Sequence, residues 1–280
     1  IGIKAEKWQY YPFIDQVHRE RLLNMGISFP LDHYDTNMVN LAILFGRPQA
    51  IGLYYGSRQE DVGGRLQVYY MTKAFHRMLG LSRMERVDFQ DDDINRPIVS
   101  YSNGARVWVN RSDQDWTVEG YSLPPGGYLV KGPNGFLEYR ALLDGNIVDV
   151  VRSQEYDYFS SPKRVDFGPV ITDGAIALAP VKDGGSTGSP RGRIVIYEVQ
   201  KPGGVDLRLG EIPGTSKDQR AIRCWAVLTH GRRLLLDFPD LRQPTSPPDY
   251  TTPGNLVQFR PVEMRSSLRY EILLSPPPTS

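Results

Sequence analysis

The residues of this 280-residue chain best suited to chemistry lie in the stretch FPLDHYDTN at positions 29–37. Asp32, His33, Tyr34 and Asp35 bring two carboxylates, an imidazole and a phenol together just before a predicted helix. Such groups make directional hydrogen bonds and would suit the hydroxyl groups of a sugar. In a strand, however, Asp32 and Tyr34 face one side and His33 and Asp35 the other, unless the strand ends inside the cluster. The structural alternative is that Asp35 caps the helix and His33 fills a satisfied polar site.

A second group of candidate binding residues is aromatic and lies in EKWQYYPF at positions 6–13. Trp8 is the strongest candidate there, because a large ring with a polar edge can stack on a sugar, although such rings also anchor cores. Glu6 beside it could be a catalytic acid, since glycoside hydrolysis uses a pair of carboxyl groups. Its partner cannot be chosen from the sequence, so the catalytic residues remain unknown.

The sequence contains no motif that indicates a metal or cofactor site. The four histidines, at 18, 33, 76 and 230, show no paired spacing, so no metal site is predicted. The acidic run DFQDDD at 88–93 lacks the pattern of a calcium loop and is interpreted as a solvated turn. Glycine-rich stretches lack the residues of a phosphate-binding loop, so no cofactor is predicted.

The balance of charged residues bears on which classes of partner the chain would bind. With 33 basic and 32 acidic residues the formal net charge is +1, which gives no electrostatic case for nucleic acid or a membrane surface. Cys224 is the only cysteine and lies in a strand-like run, so no intrachain disulfide is expected. A secreted or periplasmic location is compatible with these features, but they do not establish it.

The elements that must position these residues change character along the chain. Residues 1–95 carry helical patterns: one helix is predicted from about Met38 to Phe45, with Asp35 or Thr36 as its N-cap and Gly46 at its end. A second helix is predicted over 65–81. Its expected apolar face comprises Leu66, Tyr69, Tyr70, Phe75 or Ala74, Met78 and Leu81.

Beyond about residue 87 the chain reads as β-structure. Short β-branched and aromatic runs alternate with turn residues, and Asn103-Gly104 and Asp144-Gly145 are strong hairpin signals. Later runs such as RIVIYEV, RCWAVLTH and LRYEILL have the spacing of strands in an all-β sandwich. We predict three segments: an α/β segment at 1–95, a β-sandwich module at 96–165 and a second β-rich, sandwich-like region at 166–280.

The order PLDHYD, LFGRP, YYMTKAFHRMLG and then SNGARVWVN and LPPGGYLV resembles the C-terminal end of large bacterial glycoside hydrolases. The resemblance covers residues 26 to about 165 and is most specific over 96–160. It implies a multidomain α/β plus all-β fold: the end of a (β/α)8-type barrel followed by antiparallel β-sandwich domains. A whole barrel needs about 250 residues, so the catalytic carboxylates would lie on earlier barrel strands that these 95 residues do not include.

Two functions follow from this interpretation. The first is that the chain is the C-terminal portion of a carbohydrate-active enzyme, with Trp8, Asp32, His33, Tyr34 and Asp35 contacting the substrate. Its partners would be carbohydrate and the remainder of the catalytic barrel, or another chain. The alternative is a non-catalytic carbohydrate-binding or structural β-sandwich subunit of a secreted or surface assembly. An aromatic platform on a sandwich would favour the second function.

Overall fold

The computed structural model describes residues 17, 36–47, 62–182, 192–200, 204–212, 215, 221–228, 233–236, 256–259 and 267–274. These residues are mostly antiparallel β-structure, and two α-helices have described bounds. The mostly β character predicted beyond residue 95 is confirmed. The described part of 1–95 shows helices and the first β-strand, but not the end of a barrel. The chain divides into two compact units, Ile1–Gln154 and Glu155–Ser280. The three-segment division stays a prediction.

Helix α1, Thr36–Phe45, ends where the sequence predicts and begins two residues before the predicted start at about Met38. Gly46 follows it with a φ of 61°, a left-handed conformation that glycine adopts without steric cost. The Gly46 amide donates to the Ile43 carbonyl and the Arg47 amide to the Ala42 carbonyl. These two bonds form a Schellman motif, which satisfies carbonyl groups left open at a helix C-terminus.

Helix α2, Val62–Leu79, confirms the second predicted helix and only part of its predicted apolar face. Phe75 is buried as predicted. Leu66 and Tyr69 are 36% and 39% exposed, and Leu81 lies beyond the helix and is also exposed. The buried side is rotated around the helix from the predicted face, and it includes two polar residues. Its members are Gln67, Val68, Met71, Thr72, Phe75 and Leu79. In the described part of the chain, neither helix has the length and apolar character needed to span a bilayer.

Unit 1 is built on an antiparallel sheet with the strand order β1-β2-β3-β6-β7-β8. Helix α1 packs against β3, and α2 against β8 and α1. Two short strands, β4 and β5, form a hairpin that joins the sheet where Ser122 pairs with Leu142. The strands are β1 Met84–Phe89, β2 Pro97–Tyr101, β3 Arg106–Val109, β4 Trp116–Val118, β5 Tyr121–Leu123, β6 Tyr128–Lys131, β7 Leu137–Leu143 and β8 Asn146–Arg152.

Two hairpin turns of this sheet confirm their sequence signals. Gly104, between β2 and β3, has a φ of 84°. Asp144 and Gly145, between β7 and β8, have φ values of 49° and 72°, so both central residues are left-handed as a type I′ turn requires. Turn chemistry therefore fixes the register of these strands locally.

The face of the sheet under the β4–β5 hairpin is apolar. Buried side chains from β2, β3, β6 and β7 meet those of the hairpin there, giving the sandwich-like layering of unit 1. The cluster comprises Ile98, Trp108, Trp116, Val118, Leu123, Leu129 and Ala141, with Tyr121, Leu137 and Tyr139 packed against it. Burial of this surface stabilises the unit.

Unit 2 also consists of antiparallel strands, with the described order β9-β10-β11-β16-β13-β14. Strand β12 pairs with both β10 and β15. The strand-like runs predicted here are confirmed as strands. Their bounds are β9 Asp157–Asp166, β10 Val170–Lys182, β11 Gly192–Gln200, β12 Val205–Arg208, β13 Ala221–Leu228, β14 Arg233–Leu236, β15 Leu256–Phe259 and β16 Ser267–Leu274. Cys224 lies within β13, as predicted, opposite Leu236 and Ile272.

Arginine–carboxylate pairs join the edges of β9 and β12 in unit 2. Arg208 donates to both carboxylate oxygens of Asp166, at 2.6 and 2.7 Å, and also to the Gly168 carbonyl. Arg164 lies 2.6 Å from Asp206. The hydrogen bonds from Arg208 hold the pKa of Asp166 below its usual value. Both pairs are partly solvated, so they add little stability and mainly fix local geometry.

Candidate functional site

The five predicted substrate-binding residues, Trp8, Asp32, His33, Tyr34 and Asp35, lie outside the described residues. Their grouping around a ligand therefore stays a prediction. Helix α1 begins at Thr36, directly after Asp35 in the sequence, and the structural alternative in which Asp35 caps this helix stays a prediction.

The acidic run at 88–93 covers the end of β1 and the turn that follows it, and its residues from 90 onward form that turn, as predicted. Asp91 and Asp92 are exposed and left-handed, with φ values of 52° and 57°. Asp93 accepts hydrogen bonds from the backbone and side-chain nitrogens of Asn95, each at 2.9 Å. Among the described residues, no three histidine, cysteine or carboxylate side chains gather closely enough to hold a metal ion.

Unit 1 instead contains a buried ionic cluster between the sheet and α2. Its members are Gln67 of α2, Tyr128 of β6, Glu138 and Arg140 of β7, and Asp149 of β8. Arg140 pairs directly with both Tyr128 and Asp149 in the sheet register. Glu138 lies two residues before Arg140, so the four sheet residues share one face. The contact from Gln67 shows that this face is the one covered by α2.

Hydrogen bonds connect most of the polar atoms in the buried ionic cluster. Arg140 Nη1 donates to both carboxylate oxygens of Asp149, at 2.7 and 2.9 Å. Gln67 Nε2 approaches Asp149 Oδ2 more loosely, at 3.4 Å. The Tyr128 hydroxyl donates to Glu138 Oε1 at 3.0 Å. Within the described structure, Glu138 Oε2 is buried without a hydrogen-bond partner.

Burial raises the pKa of both buried acids, but different neighbouring groups oppose the shift. Burial raises the pKa of Glu138 well above its usual value; the Tyr128 hydrogen bond partly offsets this rise, and the nearby Asp149 adds to it. Burial also raises the pKa of Asp149, but the Arg140 guanidinium opposes that shift through both its charge and its hydrogen bonds. Glu138 is therefore the acid that favours the neutral form, and Asp149 is the one that carries the charge opposite Arg140.

An acid with a raised pKa resembles a catalytic proton donor, but the burial of this cluster argues for a structural role. Glu138 is 0% exposed and Asp149 is 4% exposed, so a substrate approaching from solvent does not reach either carboxyl group. Glu138 is hydrogen-bonded within the sheet by Tyr128, and Asp149 contacts the helix through Gln67. Polar contacts of this kind specify one docking position more sharply than apolar packing alone.

The raised pKa of Glu138 predicts how stability depends on pH. Its contribution is fully present below the unfolded value of 4.5 and is lost as the pH rises through the higher folded pKa. We expect the melting temperature to fall over that interval, and Glu138→Gln to flatten the fall because an amide does not titrate. Thermal unfolding at a series of pH values measures this. The exposed Glu85→Gln variant is the control; an equal flattening by both variants would contradict the assignment.

A second polar contact fixes the C-terminal end of α2 to the sheet, and its residues belong to the SNG and KGP turns. Asn103 Nδ2 donates to the Met78 carbonyl at 3.0 Å, while Asn103 Oδ1 accepts from the Ala105 amide at 3.1 Å. On the other side, a Cβ added at Gly132 would lie 3.0 Å from Met78 Sδ. We call these contacts of Asn103 and Gly132 with Met78 the helix–sheet joint.

The opposite face of the sheet carries a line of basic residues near its solvent-exposed end. Directly paired residues run across six strands as Arg86, Ser100, Arg106, Lys131, Leu137 and Arg152. Directly paired residues project to the same face. We call the four basic members, Arg86, Arg106, Lys131 and Arg152, the basic row. At about 4.8 Å between neighbouring strands, the row is about 24 Å long.

Two tyrosines adjoin the basic row where the β4–β5 hairpin meets β7. The rings of Tyr121 and Tyr139 lie 4.9 Å apart between centroids and are tilted by 49°. Lys131 Nζ lies 5.9 Å from the Tyr121 ring and 3.1 Å from Glu119 Oε2. Burial, reinforced by Tyr121, raises the pKa of Tyr139 to about 12, with nearby Arg152 opposing the shift. Tyr139 is therefore a neutral hydroxyl at any physiological pH.

The sequence did not single out this tyrosine pair or the basic row. A signal exists in the sequence: Arg106, Lys131 and Arg152 each lie at one end of a short, largely apolar strand. The two-residue period of a strand gives the face on which each cation lies, but it does not show which strands are neighbours. The row is visible only once the register of six strands is known.

Comparison with models of known protein families and with curated protein sequences gives no match for this chain. The mostly antiparallel, sandwich-like architecture agrees with the β part of the resemblance to glycoside hydrolases. Function must therefore be argued from the chain's own residues.

Proposed function

We propose that this chain is the C-terminal portion of a glycoside hydrolase-like enzyme. Residues 1–95 would supply the last β/α units of a (β/α)8 barrel, and the β units would follow as accessory domains. The observation that supports this most directly is the helix–sheet joint. Asn103, from the SNG stretch of the resemblance, holds the end of α2 by its hydrogen bond to the Met78 carbonyl.

The position of α2 gives the β-sheet a supporting role in this proposal. Helices form the outer ring of a (β/α)8 barrel, and ligands bind at the mouth formed by the strand ends. A sheet docked on α2 would therefore brace the barrel from outside while the substrate is bound elsewhere. Trp8, Asp32, His33, Tyr34 and Asp35 are the proposed substrate contacts at that mouth, and the catalytic carboxylates would come from earlier barrel strands.

The test compares the 280-residue chain with the protein isolated from its natural source. We expect the natural protein to exceed 31.7 kDa, to carry sequence before Ile1 and to hydrolyse glycosides. We expect the purified 280-residue chain to release no reducing sugar from the same panel of polysaccharides, because it lacks most of a barrel. Turnover by the 280-residue chain, or a natural chain that begins at Ile1, would contradict the proposal.

A second candidate function is non-catalytic carbohydrate binding, and the Tyr121–Tyr139 pair favours it. Tyrosine rings pack against apolar faces while their hydroxyls hydrogen-bond, and a sugar offers both kinds of surface. The flanking cations of the basic row add polar groups that could orient a ligand. This function is compatible with the first, since an accessory sheet of an enzyme can also hold its polymeric substrate.

A further inference from the structure

We propose that the basic row and the Tyr121–Tyr139 pair form a binding surface for an acidic polysaccharide. Uronate carboxylates would lie on the cations, and a sugar ring would contact Tyr121. This inference rests on the proposed carbohydrate function and adds the class of substrate to it. It concerns the accessory sheet and does not depend on where the barrel's active site lies.

The charges of the basic row suit an extended anion. Arg106 lies directly opposite Lys131, and like charges in paired positions of a sheet are unfavourable for folding. The Glu119 carboxylate meets Lys131 at 3.1 Å and offsets part of this repulsion, as Asp88 does for Arg86 at 2.7 Å. Carboxylates repeated along a polymer would act on the row in the same way and relieve the repulsion further.

The solvent exposure of the side chains in the basic row also supports ligand binding there. Arg86 and Lys131 have side chains that are 73% and 42% exposed. The Arg106 guanidinium lies over the Trp108 ring, 4.9 Å from its centroid, which orients the charge without covering it. Guanidinium groups favour carboxylates because they donate two parallel hydrogen bonds.

The tyrosine pair and Glu119 supply what a sugar needs beyond charge. The neutral Tyr139 hydroxyl can donate a hydrogen bond and Glu119 can accept one, so hydroxyl groups on the sugar would find both kinds of partner. Tyr121 offers ring surface beside Lys131, 5.9 Å away. A ligand with carboxylates, hydroxyls and an apolar ring face matches this combination.

A nucleic acid is a poorer match for the same surface. Phosphate backbones carry dense negative charge, and proteins that bind them generally have strongly basic domains. This chain has a formal charge of only +1.

Binding to three polymers that differ in charge and in sugar content tests whether the surface recognises charge alone or an acidic sugar. Binding of the 280-residue chain to polygalacturonate, to its fully methyl-esterified form and to polyuridylate is measured by isothermal titration calorimetry. We expect polygalacturonate to bind and the other two to bind at least about tenfold more weakly, a difference of about 1.4 kcal/mol. Binding should weaken as salt increases, because the contacts are solvent-exposed ion pairs.

Variants locate the surface, and the chain provides a matched control. We expect Lys131→Gln and Arg106→Gln to raise the Kd for polygalacturonate about threefold each. The Arg83→Gln control removes an arginine outside the row whose ion pair with Glu85, at 3.2 Å, is similar to that of Lys131, and it should leave the Kd unchanged. Tyr121→Ala should raise the Kd about tenfold and Tyr121→Phe much less. Melting curves confirm that each variant is folded.

Each other result overturns a distinct claim. Equal binding of the acidic and esterified polymers, with Tyr121 still required, would overturn the acidic specificity and leave carbohydrate binding in place. Equal or tighter binding of polyuridylate would show a general polyanion surface and overturn the proposal. If the folded chain binds no saccharide, carbohydrate binding by this sheet is wrong, while the hydrolase proposal is still decided separately by the turnover comparison.

Discussion

Replacing Arg140 by Met is expected to lower the free energy of unfolding by about 3–5 kcal/mol. Arg140 donates to both oxygens of Asp149 from a single nitrogen, and the Asp149 side chain is only 6% exposed. Without the guanidinium, Asp149 must either stay charged without its principal partner or bind a proton. The nearby Glu138 is itself an acid and offers no positive charge in place of Arg140. Urea unfolding followed by tryptophan fluorescence measures the loss. Hydrogen exchange at the amides of β7 and β8 shows whether it arises in unit 1.

Two comparisons test whether the loss of stability in Arg140→Met comes from leaving a buried charge unpaired or from losing an ion pair of any kind. Arg86 lies 2.7 Å from Asp88, the same separation as Arg140 from Asp149, but its side chain is largely exposed. Arg86→Met should therefore cost no more than about 1 kcal/mol. The double variant Arg140→Met with Asp149→Leu should recover much of the loss, because no buried charge is left unpaired. A double variant as unstable as Arg140→Met would show that the side-chain shape, and not the charge, matters.

The sequence predicts the local elements of unit 1 well because the signals are local. Asn103-Gly104 and Asp144-Gly145 carry the left-handed residues that their turns require. Gly46 likewise ends α1 through two backbone hydrogen bonds near the glycine itself. None of these predictions requires knowledge of which distant segments meet.

The buried face of α2 shows where local signals fail. Leu66 and Tyr69 are the more apolar choices, yet Gln67 is buried and they are exposed. The orientation of the helix follows its partner: Asp149 on the sheet offers a carboxylate that Gln67 approaches. A hydrophobic stripe counted along the helix alone does not contain that information.

Strand β7 shows the same limit from the sheet side. Its alternating sequence, LEYRALL, is typical of a strand with Glu138 and Arg140 facing solvent. In the structure Glu138 is fully buried and Arg140 largely so, because α2 covers their face. The alternation correctly assigns the residues to two faces, but it does not show which face the helix covers. The predicted site at Trp8 and 32–35 depends on the same kind of long-range grouping and cannot be judged from spacing alone.

A methyl group at Gly127 is expected to cost about 3 kcal/mol, the second large effect in this chain. Gly127 closes the LPPGG turn between β5 and β6, where its amide donates to the Pro124 carbonyl at 2.7 Å. An added Cβ would lie 2.7 Å from Pro124 Cδ and 2.8 Å from both the Pro124 and Arg140 carbonyl oxygens. Both carbonyl oxygens are backbone atoms: Arg140 lies in the paired strand β7, and the Pro124 oxygen accepts the hydrogen bond of the turn, so neither moves aside without disturbing these bonds. Urea unfolding of Gly127→Ala measures the cost.

The matched control for Gly127 is Gly145→Asn, at a turn where the difficulty is backbone conformation and not space. Gly145 has a φ of 72° and no atom within 4 Å of an added Cβ, and asparagine tolerates that conformation. A cost at Gly127 no greater than at Gly145 would contradict the steric argument. Because the clash pushes on the Arg140 backbone, the Gly127→Ala and Arg140→Met effects should not add. A double variant less destabilised than the sum would show that the turn helps to position the guanidinium opposite Asp149.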